Sequence, residues 1–284
     1  MQITNRIHRL KIEFDVTPEI KRFVYIYIIA GRRLYLIDAG VDGAEKAVGS
    51  YLKSIGRRME EIDAILLTHS HPDHIGAADK ICNETGCRVY ACAGERDWIE
   101  NIDKQFADRP IPNFYRLVNH SVRITDIISD GDILHLEDDI TIRVVNACGH
   151  STESLAYNFS EERVLFTGDA VPATGDIPIY ISAEKSLSTL DRLSRVPDID
   201  LYLPAWDEPA DAENGMLAIK NAAKLLQNID ETARKIVYEF PELEGDELFR
   251  MICRKLGMAQ AVVHPLFKTS VFSGIRDIYS GRRC

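Results

Sequence analysis

Three histidines and an aspartate fall within six positions in His69-Ser-His71-Pro-Asp73-His74. They follow Asp63-Ala-Ile-Leu-Leu67, an apolar run too short for a lone helix, which reads as a buried strand. Pro72 lacks a backbone N–H and is expected to stop any regular element there. A polar loop at a strand end that carries several imidazoles has one common use, the binding of a borderline metal ion. His69 and His71 converge on one ion if the backbone stays extended. Asp73 and His74, past the turn, address a second. Ser70 has no paired base and reads as a spacer.

Two further strand ends carry the same kind of residue. Val144-Val-Asn-Ala-Cys-Gly-His150 places a histidine after an apolar run, and Arg163-Val-Leu-Phe-Thr-Gly-Asp169 places an aspartate after another. Each alone also fits a capping or packing residue. Together the three strand ends bring His, His, Asp, His, His and Asp toward one sheet edge. That is enough for two adjacent cations with positions left for water and substrate.

The order His-x-His-x-Asp-His, then Gly-His, then Thr-Gly-Asp resembles the metallo-β-lactamase-fold hydrolase superfamily, with a motif set like that of hydroxyacylglutathione hydrolases. The similarity runs from about Arg9 to Pro209. It implies an α/β fold, a four-layer αββα sandwich with the metals at one edge between two mixed sheets. It also implies His69, His71 and His150 on the first ion, Asp73 and His74 on the second, and Asp169 between them. One departure stands out. Family members usually close the site with Pro-Gly-His-Gly-Glu-Pro, whereas this chain has Pro204-Ala-Trp206-Asp207-Glu208-Pro209. Indole nitrogen only donates and cannot ligate a cation, so Trp206 leaves the second ion short and Asp207 is the candidate extra ligand.

The chemistry that fits is hydrolysis of an acyl ester, thioester or lactone of a small molecule by a metal-bound hydroxide, with Asp73 orienting the nucleophile. Two divalent ions are expected, zinc first, with iron and manganese as alternatives. Related enzymes also cleave phosphodiesters or RNA, or hold a single iron and oxidise persulfides. The net charge of −10 argues against a nucleic-acid partner, because phosphate neutralisation dominates that affinity.

The positioning elements follow from periodicity. Ile7 to Phe14, Val24 to Ala30 and Leu34 to Ile37 read as strands, and Ala44 to Ile55 as a helix. Asp38 either fixes a histidine tautomer or shapes the turn before Gly40. Residues 1–210 are expected to form the catalytic domain, with 94–130 as a pocket-forming insertion. Its Trp98, Phe114 and Tyr115 are candidate substrate contacts, as are Tyr180 and Trp206. Residues 211–284 read as a helical extension, with helices at Leu217 to Tyr238, Asp246 to Leu256 and Ala261 to Tyr279. The resemblance implies that such tails cover the site or join subunits into a homodimer. The six cysteines show no C-x-x-C pair and read as free thiols. With no apolar stretch of spanning length and no signal-peptide core, the expectation is a cytoplasmic enzyme.

Overall fold

The computed structural model describes residues 1–16, 20–276 and 278. The chain divides into two compact units. The first comprises Met1–Asn146, Glu153–Gly168 and Asp198–Pro209; the second comprises Ala147–Thr152, Asp169–Pro197 and Ala210–Cys284.

In the first unit β1 (Ile7–Asp15), β2 (Lys21–Ala30), β3 (Leu34–Ile37), β4 (Ile62–Leu66), β5 (Arg88–Ala91) and β6 (Asp126–Ile127) form a sheet in that spatial order. The pairs β1–β2 and β2–β3 are antiparallel, and those from β3 to β6 are parallel. Strand β2 shows why the sheet is buried on both faces. Alternate residues point to opposite sides of a strand. Val24, Ile26 and Ile28 enter one core while Tyr25, Tyr27 and Ile29 enter another.

The first core is covered by α1 (Ala44–Ser54), through Ala44, Val48 and Leu52. After the single turn α2 (Pro72–Ile75), α3 (Ala78–Thr85) adds Ala78 and Ile81. The second core lies between this sheet and another, in which β7 (Ile133–Glu137), β8 (Ile140–Asn146), β9 (Leu155–Phe159), β10 (Val164–Gly168) and β11 (Leu201–Pro204) run in the order β11-β10-β9-β8-β7. Tyr27 of the first sheet meets Phe166 of the second at 5.3 Å between ring centroids.

The stretch 94–130 contains α4 (Arg96–Ile99), α5 (Ile102–Asp108) and α6 (Phe114–Leu117). The second unit carries α7 (Ala183–Leu193), α8 (Ala212–Glu239), α9 (Gly245–Lys255) and α10 (Pro265–Gly274). Ile229, Ala233 and Ile236 of α8 pack with Phe249 and Ile252 of α9 and Phe267 of α10. Asp211 caps α8 by accepting from the Asn214 N–H at 2.8 Å, so that helix begins before the expected Leu217.

Two facing sheets, helices against the outer face of the first and a helical C-terminal stretch agree with the αββα sandwich plus helical appendage read from the sequence. Two local expectations fail. Pro72 opens α2 instead of stopping regular structure, because the first helical position needs no N–H and suits the fixed φ of proline. The helix expected from Ala261 starts at Pro265 after a 3₁₀ turn at Ala259–Val263. Its expected end at Tyr279 lies outside the described residues. Among the described residues no helix is long and apolar enough to cross a membrane.

Gly76 closes α2 where a backbone hydrogen bond, Asp42 N–H to the Leu117 carbonyl at 2.6 Å, passes underneath. A Cβ there would lie 2.5 Å from the Asp42 nitrogen. Gly76→Ala is expected to cost about 1–3 kcal/mol in urea denaturation, as overpacking does elsewhere. An unchanged midpoint would contradict this close approach.

Candidate metal centre

Parallel pairing puts the C-terminal ends of β3, β4 and β5 along one edge of the first sheet, the usual place for a binding site in such sheets. From β3 comes Asp38, 2% exposed and held at a φ of 61°, in the left-handed region. From β4 come Thr68, His69, Ser70 and His71, all buried, and then Asp73 and His74 on α2. From β5 the chain reaches Glu95, also buried.

Asp38 organises this edge. Its Oδ1 accepts the Thr68 N–H at 2.7 Å, and its Oδ2 accepts the Thr68 hydroxyl at 2.8 Å. Oδ2 also lies 2.8 Å from His74 Nδ1. A carboxylate only accepts, so Nδ1 of His74 carries the proton and Nε2 is the candidate ligand atom. With its own proton given to Asp38, the Thr68 oxygen accepts from His69 Nδ1 at 3.0 Å, which assigns Nε2 of His69 in the same way. Nε2 of His69 lies 2.8 Å from Nδ1 of His71, so these two nitrogens face one position. On the far side of the His71 ring, Nε2 contacts the Arg109 guanidinium. Nε2 of His74 is 3.3 Å from Asp73 Oδ2. Among the described residues that buried oxygen accepts no hydrogen bond.

The loop is braced on its other side. Glu95 accepts the Ser70 N–H at 3.2 Å and the Ser70 hydroxyl, and Gln105 of α5 donates to the Ser70 carbonyl at 2.7 Å. The second sheet adds two bonds: Tyr157 donates to the Leu67 carbonyl at 2.5 Å, and the Leu155 N–H to the Thr68 carbonyl at 2.8 Å. Ser70 is therefore an anchor and not the spacer expected from the sequence.

In the second unit His150 follows Gly149, whose φ of 124° favours glycine. Any Cβ at Gly149 would collide with the backbone of Ser186 at the start of α7. Thr189 of α7 donates to the Cys148 carbonyl at 2.7 Å, fastening the same loop. Nδ1 of His150 lies 2.8 Å from the Ile179 carbonyl, which only accepts, so Nε2 is again the candidate ligand atom. It sits 3.3 Å from Asp169 Oδ2.

Of the remaining candidates, Phe114 is 2% exposed and packs on Phe106 within the first core, so its ring serves packing. Tyr115 is 45% exposed and donates to Asp103, while Trp98 donates to Asp108. Tyr180 is buried in the second unit, where burial and Asp230 push its hydroxyl pKa above the ordinary value. Trp206 leans on Phe14 and Phe23 and lies under the Arg22 guanidinium. Oδ1 of Asp207 accepts the Glu208 N–H at 2.9 Å. Hydrogen bonds from Tyr25 and Arg9 hold the Glu208 carboxyl below its usual pKa. Among the described residues Asp207 joins no cluster of metal-ligating groups.

Thr68, Glu95, Gln105 and Arg109 were not singled out from the sequence. A polar residue between an apolar run and a histidine was the one visible signal, and it marked Thr68 alone.

Asp38→Asn keeps the volume but replaces one accepting oxygen with a donor. Metal affinity is expected to fall about 10–100-fold, as removal of such supporting groups does elsewhere. Competition with a chromophoric chelator reads this directly, and unchanged affinity would contradict the tautomer assignment.

The sequence profile of the metallo-beta-lactamase superfamily matches residues 20–205. The chain is 29% identical over 158 residues to a hydroxyacylglutathione hydrolase of Hyphomonas neptunium, covering 55% of this chain and 52% of that protein. Against the hydroxyacylglutathione hydrolase of Methylococcus capsulatus it is 28% identical over 178 residues, 61% of this chain and 60% of the relative. The chain thus spans between half and two thirds of the length of these relatives. Among solved structures, a metallo-beta-lactamase family protein from Thermus thermophilus superposes with a TM-score of 0.73 at 19% identity, covering 97% of this chain and 95% of the other. A beta-lactamase domain protein from Burkholderia ambifaria gives 0.71 at 17% identity, with 99% and 88% covered. With the profile match extending over well more than half of its length, this chain belongs to the metallo-beta-lactamase superfamily.

Proposed function

We propose that the chain is a metal-dependent hydrolase acting on an acyl ester, thioester or lactone of a small molecule. In this reading His69, His71 and His150 hold one divalent ion, Asp73 and His74 a second, and Asp169 both. Zinc is the first choice, since imidazole and carboxylate donors suit it. The observation that carries the reading is the set of fixed tautomers. His69, His74 and His150 each direct Nδ1 at a fixed oxygen, which leaves Nε2 as the ligand atom on each ring. Unoriented surface histidines have no need of such support.

A divalent ion among these donors supplies Lewis acidity, bringing the acidity of a water molecule toward neutrality and polarising a carbonyl. The protein's own contributions are positional. Asp38 and Thr68 hold the imidazoles in register, and Glu95 and Gln105 keep the loop from turning away. Asp73 Oδ2, buried beside His74, is suited to take a proton from an attacking water and return it to the leaving group. Residues 1–210 would form the catalytic domain, with 94–130 walling the pocket and 211–284 as the helical extension. The similarity to hydroxyacylglutathione hydrolases supports testing hydroxyacyl conjugates of glutathione first.

Elemental analysis of protein purified without added metal should return about two equivalents of zinc or manganese per chain, with thioester turnover abolished by a chelator. One equivalent of iron with oxygen uptake on a persulfide would replace this reading by a dioxygenase. Asp73→Asn is expected to lower kcat by about 10²–10⁴-fold on the same substrate, as loss of a positioned general base does. An unchanged kcat would remove Asp73 from that role.

A further inference from the structure

Away from the histidine loop, two thiols face each other inside the first unit. Cys82 lies on α3 and Cys87 directly precedes β5, and their sulfurs are 3.3 Å apart. The five-residue step between them is folded back by the end of α3. The Gly86 N–H returns to the Cys82 carbonyl at 2.8 Å with Gly86 at a φ of 70°, and the Cys87 N–H bonds the Thr85 hydroxyl at 3.1 Å. Cys82 is partly exposed and Cys87 is 8% exposed. The pair is thus held by backbone structure on both sides, and Cys82 is the less buried of the two. The hydrolytic chemistry has no use for it.

We propose that Cys82 and Cys87 form a reversible thiol–disulfide site that exchanges with low-molecular-weight disulfides of the glutathione type. Cys82, the less buried of the two, attacks as thiolate and cleaves the oxidant's S–S bond, releasing one small thiolate and leaving a mixed disulfide. Cys87 then gives its proton to solvent and attacks the Cys82 sulfur, and the second small thiolate departs. Two protein thiols are oxidised, and one small disulfide is reduced to two thiols. In the dithiol state the Cys82 S–H lowers the Cys87 thiol pKa; the Thr85 hydroxyl lowers it as well, and this second contact persists once Cys82 is in the mixed disulfide and favours the resolving step. The new bond would join the end of α3 to the start of β5, the strand that leads to Glu95 and so to the Ser70 anchor.

The test uses the intact protein. Trypsin is expected to release Ile81–Arg88, which holds both cysteines and no other. After equilibration with mixtures of reduced and oxidised glutathione and alkylation, this peptide should become two hydrogens lighter and lose both alkyl groups. The peptides carrying Cys92 and Cys253 should stay fully alkylated. The folded protein should be half-oxidised at a ratio of oxidised to reduced glutathione at least about tenfold lower than the urea-unfolded chain needs, a difference of about 30 mV. Cys87→Ser should trap one glutathione on Cys82. The inference is overturned if the folded protein needs the same ratio as the unfolded one, if wild type accumulates a stable glutathione adduct, or if both thiols remain alkylated throughout.

Discussion

The buried carboxylate of Asp38 is the constraint on which the rest of the site depends. It takes three hydrogen bonds from one short stretch: the Thr68 N–H, the Thr68 hydroxyl and His74 Nδ1. A buried carboxylate is stable only when its acceptor capacity is filled, so the loop after β4 has little freedom around it. The same bonds that satisfy Asp38 orient the rings. Thr68 passes the effect to His69, because a hydroxyl that has given its proton to a carboxylate can only accept from the next neighbour.

This arrangement needs the mixed topology of the first sheet. Parallel β3, β4 and β5 end on one side, so residues thirty or more positions apart meet there without long loops. A strand register error of one residue in β4 would turn Thr68 away from Asp38 and the histidines into the core. Register is secured by burial on both faces: Leu36, Ile62 and Ile65 enter one core, and Tyr35, Ile37, Ala64 and Leu66 the other. The bonds from Tyr157 and Leu155 to the carbonyls of Leu67 and Thr68 tie the loop to the second sheet as well.

The stretch 94–130 braces the histidine loop. It contributes Glu95, Gln105 and Arg109 to the far side of the histidine loop, while Phe114 and Leu117 fill the first core. The segment therefore couples site geometry to core packing. Trp206, where the resemblance implied a histidine, is occupied with Phe14, Phe23 and Arg22. Its neighbour Asp207 has turned to its own backbone at Glu208.

Short-range pattern determined much of this protein from the sequence alone. Strand β3 and the start of α1 fall where the pattern put them, since β3 is a continuous buried run and burial in α1 repeats every fourth residue. The clustered imidazole and carboxylate side chains were legible as a candidate metal site, because such density has few other uses. Helix starts were less legible: Pro72 and Asp211 act through backbone groups that hydrophobic pattern does not report. What only tertiary structure decided is which nitrogen of each ring is tied to an oxygen, since that depends on Asp38, Thr68 and Ile179 being brought in by the fold. Sequence also left open whether Asp38 serves a turn or a tautomer; folding lets it do both, at a φ of 61° and within 2.8 Å of His74. Glu95, Gln105 and the pairing of Cys82 with Cys87 were hidden for the same reason: each becomes meaningful only when strand ends and helix ends are packed into one place.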